Sequence, residues 1–130
     1  MTVIDFTAFI DRLATASGET ILPFFRTSLL GIENKAGDRN FDPVTEADRA
    51  AEAVMRRRIK SSFPQHGIVG EEHASVAGST GYVWVIDPIH GTANFVRGIP
   101  AWCVVIACAR DGTTVVGVIH ESSTGETFHG

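Results

Sequence analysis

The chain has 130 residues, 44% of them hydrophobic, which is enough to bury one core without disulfide or metal staples. Its net charge is −4 and its pI about 5.7, whereas a nucleic-acid-binding domain normally presents a basic face, so no nucleic-acid partner is expected. No run approaches the roughly 20 apolar residues of a membrane span, and the N-terminus lacks the basic and apolar regions of a secretory signal.

A first amphipathic helix is predicted over about residues 4–25, where apolar residues recur at intervals of three and four. Gly18 weakens the middle of this helix, and Pro23 interrupts its last turn. Residues 29–42 are rich in Gly, Asp and Asn, which predicts a loop or a short ribbon.

A second helix is predicted from Thr45 to just before Pro64. Thr45 followed by Asp48 resembles a capping box, with Asp in place of the usual Glu. The run Arg56–Arg58 is predicted to be a solvated helix face, where cations suit the C-terminal end of the helix dipole. The apolar positions form one stripe, which comprises Ala47, Ala51, Val54, Met55 and Ile59.

After the second helix the pattern is typical of β-strands. Strands are predicted at residues 68–69, 82–86, 102–110, 113–120 and 126–128, the third of them long, and Asp111-Gly112 is a strong hairpin turn. Two helices followed by consecutive hairpins predict an α+β layered domain, with both helices on one face of a largely antiparallel sheet.

The cysteines indicate no disulfide, because Cys103 and Cys108 lie five residues apart on one predicted strand and face opposite sides. Free thiols favour a cytoplasmic location. Four histidines show no metal-ligand spacing and are predicted at the surface or in loops. They are His66, His73, His120 and His129.

The segment from Trp84 to Phe95 carries the strongest chemical signal. A run of apolar, mostly β-branched residues stops at Asp87-Pro88, and Gly91-Thr92 follows, where a short helix is predicted to begin. A strand that ends in a carboxylate and leads into a helix N-terminus places an anion beside free backbone N–H groups. The carboxylate can hold a hard cation and the N–H groups can hold a phosphate.

Two further acidic segments precede this one, at residues 42–48 and 70–72. Taken singly, each motif would more often be structural, since Asp-Pro and Gly-Thr are common turn residues and Asp48 could be only a helix cap. The three segments occurring together, in this order and at this spacing, are not expected by chance. Together the three segments resemble the inositol monophosphatase superfamily of magnesium-dependent phosphatases.

The resemblance implies that the 130 residues form a single partial domain, the N-terminal half of a sugar-phosphatase-type αβαβα sandwich. In the family a second α/β subdomain follows, whose Trp-Asp motif supplies another metal-binding aspartate. No Trp-Asp pair occurs in this sequence. The resemblance also implies a small phosphorylated metabolite as substrate and a homodimer in the full-length family form.

The same resemblance implies the site residues. Glu71, Asp87, the Ile89 carbonyl and His90 occupy metal-ligand positions for Mg²⁺, with Mn²⁺ as an alternative. Glu71 and Thr92 would orient the attacking water, with Asp48 and Thr45 close to that water, and Asp42 would lie at the edge of the cluster. The substrate-binding positions are Ile89, His90, Gly91 and Thr92.

His90 departs from the family pattern, which has aspartate there. A neutral imidazole removes one negative charge, and Mg²⁺ prefers oxygen ligands, whereas zinc, manganese or copper tolerate imidazole better. A first ion would keep Glu71, Asp87 and the Ile89 carbonyl. A second ion would keep only Asp87, because its other aspartate belongs to the second subdomain.

Two functional interpretations therefore stay open. One is a small-molecule phosphomonoesterase whose activity is weak or lost in this chain, and the other is an inactive, truncated family member that serves as a binding or interaction module. The substrate is open too. Residues 41–49 look more like the family's histidinol-phosphate phosphatases, whereas residues 91–100 look more like its inositol-1-phosphate phosphatases.

Overall fold

The computed structural model describes residues 6–27 and 45–130, together with the backbone of residues 33–34 and 43–44. Asp42 and most of the predicted loop at 29–42 lie outside the described residues. The elements in chain order are α1 (Thr7–Ile21), a 3-10 turn (Leu22–Phe24), β1 (Glu33–Asn34), β2 (Pro43–Val44), α2 (Glu46–Ser62), β3 (Gly67–Gly70), β4 (Tyr82–His90), α3 (Thr92–Val96), β5 (Cys103–Arg110), β6 (Thr113–Glu121) and β7 (Glu126–His129).

The main sheet has five strands in the order β3-β4-β5-β6-β7. Strand β3 runs parallel to β4, and the other neighbours are antiparallel. Asp111 and Gly112 both have positive φ angles in the turn from β5 to β6, as the hairpin prediction requires. The largely antiparallel sheet is confirmed, and the parallel pair arises because the helix-free crossover at residues 71–81 returns the chain alongside β3.

Both long helices pack on one face of this sheet, with α1 against β5 and β6 and α2 against β4. Helix α2 begins with the predicted capping box, in which Thr45 and Asp48 bond each other's backbone N–H groups. Gly18 is buried in α1, and a Cβ there would lie 2.6 Å from the Ser122 hydroxyl, so the glycine lets the helix approach the sheet. No helix within residues 6–27 and 45–130 is long and apolar enough to cross a membrane.

The core between the helices and the sheet includes an aromatic cluster around Trp84, which is fully buried. Phe6 and Phe9 meet its ring edge-on. His66, predicted at the surface or in a loop, lies in the loop just before β3 but is buried, and its Nδ1 accepts a 3.0 Å hydrogen bond from the Trp84 indole N–H. A buried indole N–H needs an acceptor, and His66 supplies it.

The opposite face of the sheet has no helix over it among the described residues. Large apolar side chains on this face are 42–52% exposed, and they are Val69, Val85, Ile119 and Phe128. Strand β5 lies at the centre of the sheet, with Val104 and Ile106 buried under the helices. The exposed apolar surface is therefore a sheet face and not an edge.

The open sheet face predicts self-association, because a contiguous apolar patch of this kind favours contact with another apolar surface. The chain should run as a dimer or larger species in size-exclusion chromatography with light scattering. Ile119→Lys with Phe128→Lys should shift it toward monomer, whereas Ile99→Lys, at an equally exposed apolar residue outside the sheet, should not. A monomeric parent with a cooperative thermal transition would contradict this.

Burial of His66 predicts an acid-sensitive fold. Burial lowers the pKa of His66, so the unfolded chain takes up the proton at a higher pH than the folded protein does. The neutral ring therefore contributes to the free energy of unfolding above the unfolded-state pKa of about 6.5, and this contribution is lost as the pH falls below that value. His120, whose pKa burial also lowers, adds to the same slope.

His66→Asn keeps an acceptor near the Nδ1 position but cannot titrate. The fall in Tm from pH 7.5 to pH 5.5 should therefore be smaller in this variant than in the parent chain. Identical slopes in the two proteins would show that His66 is not the residue that links stability to pH.

Candidate active site

Parallel pairing brings two of the predicted carboxylates to one edge of the sheet. Gly70 and Ile86, near the C-terminal ends of β3 and of the regular part of β4, are register partners. The next residues along the two strands are Glu71 and Asp87. Because both chains run in the same direction, these residues emerge side by side, where ligands commonly bind in sheets with parallel strands.

Asp87 lies in a crowded negative environment. Its side chain is 22% exposed, and its Oδ2 lies 3.2 Å from Nδ1 of His90. Burial raises the pKa of Asp87, and the nearby carboxylates of Glu71 and Asp48 raise it further, whereas His90 lowers it. The structure therefore brings both Glu71 and Asp48 within electrostatic range of Asp87.

The first turn of α2 joins this edge through Asp48. One oxygen of its carboxylate, Oδ2, accepts hydrogen bonds from the Thr45 backbone N–H at 2.9 Å and from the Thr45 hydroxyl at 2.7 Å. The other oxygen, Oδ1, lies 3.2 Å from the Thr92 hydroxyl. The predicted cap residues thus also form a polar chain that reaches the turn after β4.

The turn after Asp87 is built around an irregularity in the β4–β5 pairing between Asp87 and His90. Pro88, which has no N–H to donate, stands at this irregularity. The Thr92 hydroxyl also lies 3.0 Å from the Ile89 carbonyl oxygen, which competes with Asp48 Oδ1 for its single proton. Gly91 has φ of 93°, and a Cβ there would lie 2.8 Å from the Ala101 carbonyl oxygen, so the turn requires glycine.

Eight of the nine predicted site residues therefore fall in the described part of the chain. These eight residues meet at one edge of the sheet, and they are Thr45, Asp48, Glu71, Asp87, Ile89, His90, Gly91 and Thr92. The ninth, Asp42, lies outside the described residues. Within residues 6–27 and 45–130, no three His, Cys, Asp or Glu side chains already stand in a metal-binding arrangement.

Sequence reasoning missed a buried pair on α2. Arg56 was predicted in a solvated helix face, but its guanidinium is largely buried and donates a 3.0 Å bond to the fully buried Glu52. The signal in the sequence was the spacing of four residues between Glu52 and Arg56, next to the apolar stripe at Ala51 and Met55. Arg57 and Arg58 are exposed, as predicted.

Comparisons with known proteins identify the family of this chain. The family model described as "Inositol monophosphatase family" matches residues 4–130. The chain belongs to the inositol monophosphatase family. It is 39% identical over 117 residues to a histidinol-phosphatase of Chlorobaculum parvum, covering 90% of this chain and 44% of that protein. It is 37% identical over 118 residues to the Nus factor SuhB of Escherichia coli, covering 90% of this chain and 43% of that protein.

The fold agrees as well. The solved structure of an IMPase from Thermotoga maritima superposes with a TM-score of 0.85 at 31% identity, covering 98% of this chain and 48% of that one. The chain thus spans less than half the length of these relatives. The predicted α/β (α+β layered) fold, two helices on a largely antiparallel sheet, is confirmed, and the parallel β3–β4 pair makes the sheet mixed.

Proposed function

We propose that this chain contributes the N-terminal half of a metal-dependent site that hydrolyses a small-molecule phosphomonoester with an activated water. The observation that supports this most is the meeting of Glu71, Asp87 and the Asp48–Thr92 pair at one sheet edge. The family acts on small phosphorylated substrates and is generally metal-dependent, usually on Mg²⁺. Histidinol-phosphatases among the relatives support phosphatase chemistry in general.

The donors at this edge suit a hard divalent cation. Glu71, Asp87 and the Ile89 carbonyl would hold a first Mg²⁺ or Mn²⁺ ion, since all three offer oxygen. Burial and, after it, the neighbouring carboxylates raise the pKa of Asp87, and a bound cation would relieve the repulsion among these carboxylates. Such an ion supplies Lewis-acid chemistry and lowers the pKa of a bound water.

The residues around that position can orient a water. Asp48 Oδ2 already takes two donors from Thr45, so its Oδ1 is the oxygen that accepts the Thr92 proton. When Thr92 donates to Asp48, the lone pairs of its hydroxyl oxygen can accept a hydrogen from water. Glu71, on the neighbouring strand end, would take the opposite side of that water. Gly91 and Thr92, with Ile89 and His90, would line the phosphate.

His90 supports the second candidate function, an inactive family member that acts as a binding module. Its imidazole offers nitrogen where the family resemblance implies aspartate, and it is 71% exposed beside Asp87. The Escherichia coli relative is named a Nus factor, a name that does not describe a phosphatase. Measurement of Mg²⁺-dependent phosphate release separates the two candidates. We propose inositol-1-phosphate and histidinol phosphate as alternative substrates. We also propose that the full-length protein is a cytoplasmic homodimer.

Glu71→Gln should abolish cation-dependent stabilisation. An ion that binds only the folded state adds about 2.7 kcal/mol at a hundredfold excess over its Kd, so the parent Tm should rise with millimolar Mn²⁺ or Mg²⁺. Glu71→Gln removes a negatively charged ligand and should lose the rise. Glu126→Gln, an exposed glutamate of β7, should keep it. Equal rises in all three proteins would mean that the metal ligands lie elsewhere.

Asp42→Asn extends the comparison. The family resemblance places Asp42 at the edge of the cluster, so this variant should lose less of the Mn²⁺-dependent rise than Glu71→Gln. If the two variants lose equal amounts, the ligand roles have been assigned to the wrong residues.

His90→Asp should reverse the order of stability on adding Mg²⁺. Without metal, a second carboxylate beside Asp87 adds repulsion, so the variant should melt no higher than the parent. With millimolar Mg²⁺ it should melt higher, because the new carboxylate returns two oxygen ligands to the second-ion position beside Asp87. Thermal melts of both proteins with and without Mg²⁺ measure this. No Mg²⁺-dependent gain over the parent would remove position 90 from the metal site.

Phosphate release should stay low in the 130-residue His90→Asp chain, because the second-subdomain aspartate is missing from it. Release should appear when a family C-terminal half is supplied, either fused or as a separate fragment. High activity in the 130-residue chain alone would contradict the division of the site between two halves.

A further inference from the structure

The pair Glu52–Arg56 lies in the middle of α2, one turn beyond the Asp48 that joins the candidate site. Glu52 is fully buried, and the Arg56 side chain is 10% exposed. A buried carboxylate is costly unless its oxygens are hydrogen-bonded. The partners of this pair therefore show what it holds in place.

Those partners are backbone groups of the segment that carries Glu71. Glu52 Oε1 accepts a 3.1 Å bond from the Glu72 N–H, and Oε2 accepts a 2.9 Å bond from the His73 N–H. Arg56 donates to the carbonyls of His73 and Ala74 at 3.0 Å and 2.7 Å. The two side chains thus bind four backbone groups of residues 72–74.

Gly70, the residue before Glu71, packs against the same Glu52 carboxylate. A Cβ at Gly70 would lie 2.5 Å from Glu52 Oε1 and 2.6 Å from its carboxyl carbon. Glycine at this position lets the β3 end close onto the buried carboxylate. The backbone is therefore fixed to α2 on both sides of Glu71, by packing at Gly70 and by hydrogen bonds at Glu72 and His73.

Helix α2 also carries Asp48, whose Oδ1 meets the Thr92 hydroxyl. The four-residue spacing from Asp48 to Glu52 is about one turn, or roughly 6 Å along the axis. A rigid helix with Asp48 on one turn and Glu52 on the next fixes the separation between the Glu71 segment and the Asp48–Thr92 pair.

We propose that Glu52 and Arg56 are positioning residues, which hold the Glu71 carboxylate at the distance from Asp48 and Thr92 that divalent-cation binding needs. The cation-binding part of this proposal rests on the proposed function, whereas the positioning of residues 71–74 does not. Partners that orient metal ligands typically change metal affinity 10- to 100-fold when removed, so the pair should affect affinity without touching the ion.

Glu52→Gln is the sharpest test. Its amide presents one oxygen and one N–H₂ group to three donors, the Glu72 and His73 N–H groups and the Arg56 guanidinium, so at least one donor loses its partner. Arg56→Lys keeps the charge but not the planar fork, and serves if Glu52→Gln does not fold. The matched controls are Glu19→Gln and Arg57→Lys, which change exposed residues of α1 and α2.

Two measurements are needed on the same samples. Amide exchange of the 15N-labelled chain should become about tenfold faster at Glu72 and His73 in Glu52→Gln, as the loss of a charge-assisted hydrogen bond implies, with β4 and β5 amides unchanged. The Kd for Mn²⁺, measured by electron paramagnetic resonance on the folded protein, should rise about 10- to 100-fold. Arg56→Lys should move both in the same direction by less, and the controls should match the parent.

Faster exchange throughout the chain with an unchanged Mn²⁺ Kd would show that the pair only stabilises the core, and the proposal would fail. Unchanged exchange at Glu72 and His73 would overturn it as well. If the parent itself binds no Mn²⁺, the proposed function fails, and amide exchange at Glu72 and His73 alone decides whether the pair positions the segment.

Discussion

The parallel pairing of β3 with β4 is the constraint on which the candidate site depends. Gly70 and Ile86 are register partners in this pairing, so Glu71 and Asp87, the next residue of each strand, lie together at one edge of the sheet. An antiparallel pairing would have sent the two carboxylates to opposite ends of the strands. Helix α2 then crosses near this edge and adds the Asp48–Thr92 hydrogen bond. The whole arrangement thus follows from one pair of strands and one helix.

Concentrating carboxylates at one edge has an electrostatic cost. Burial raises the pKa of Asp87, and the carboxylates of Glu71 and Asp48 raise it further. Hydrogen bonds and nearby cations stabilise ionised carboxylates and so lower that cost. Asp48 receives two donors from Thr45, and Glu52, one turn further on, receives Arg56 and two backbone N–H groups. At Asp87 the neighbouring group is His90, whose effect on the charge depends on its own protonation.

Much of the fold was predictable because it rests on local patterns. The capping box at Thr45, the left-handed hairpin turn at Asp111-Gly112 and the free thiols at Cys103 and Cys108 all follow from short stretches of sequence. The first helix proved shorter than predicted, ending at Ile21, because Pro23 diverts the chain into a 3-10 turn. Strand β4 proved longer, since its irregular part continues past Pro88 to His90.

The sequence by itself determined the elements, the capped start of α2 and the residue types at the candidate site, because each depends on neighbours a few positions away. Only the tertiary structure decided which groups meet. It buried His66 against Trp84 and turned Arg56 inward onto Glu52, although neither residue type is typical of a core. The partner of His66 lies 18 residues away along the chain, and the backbone partners of Arg56 and Glu52 lie 17 to 21 residues away. The four-residue spacing indicated the Glu52–Arg56 pair, but no local pattern records these distant partners.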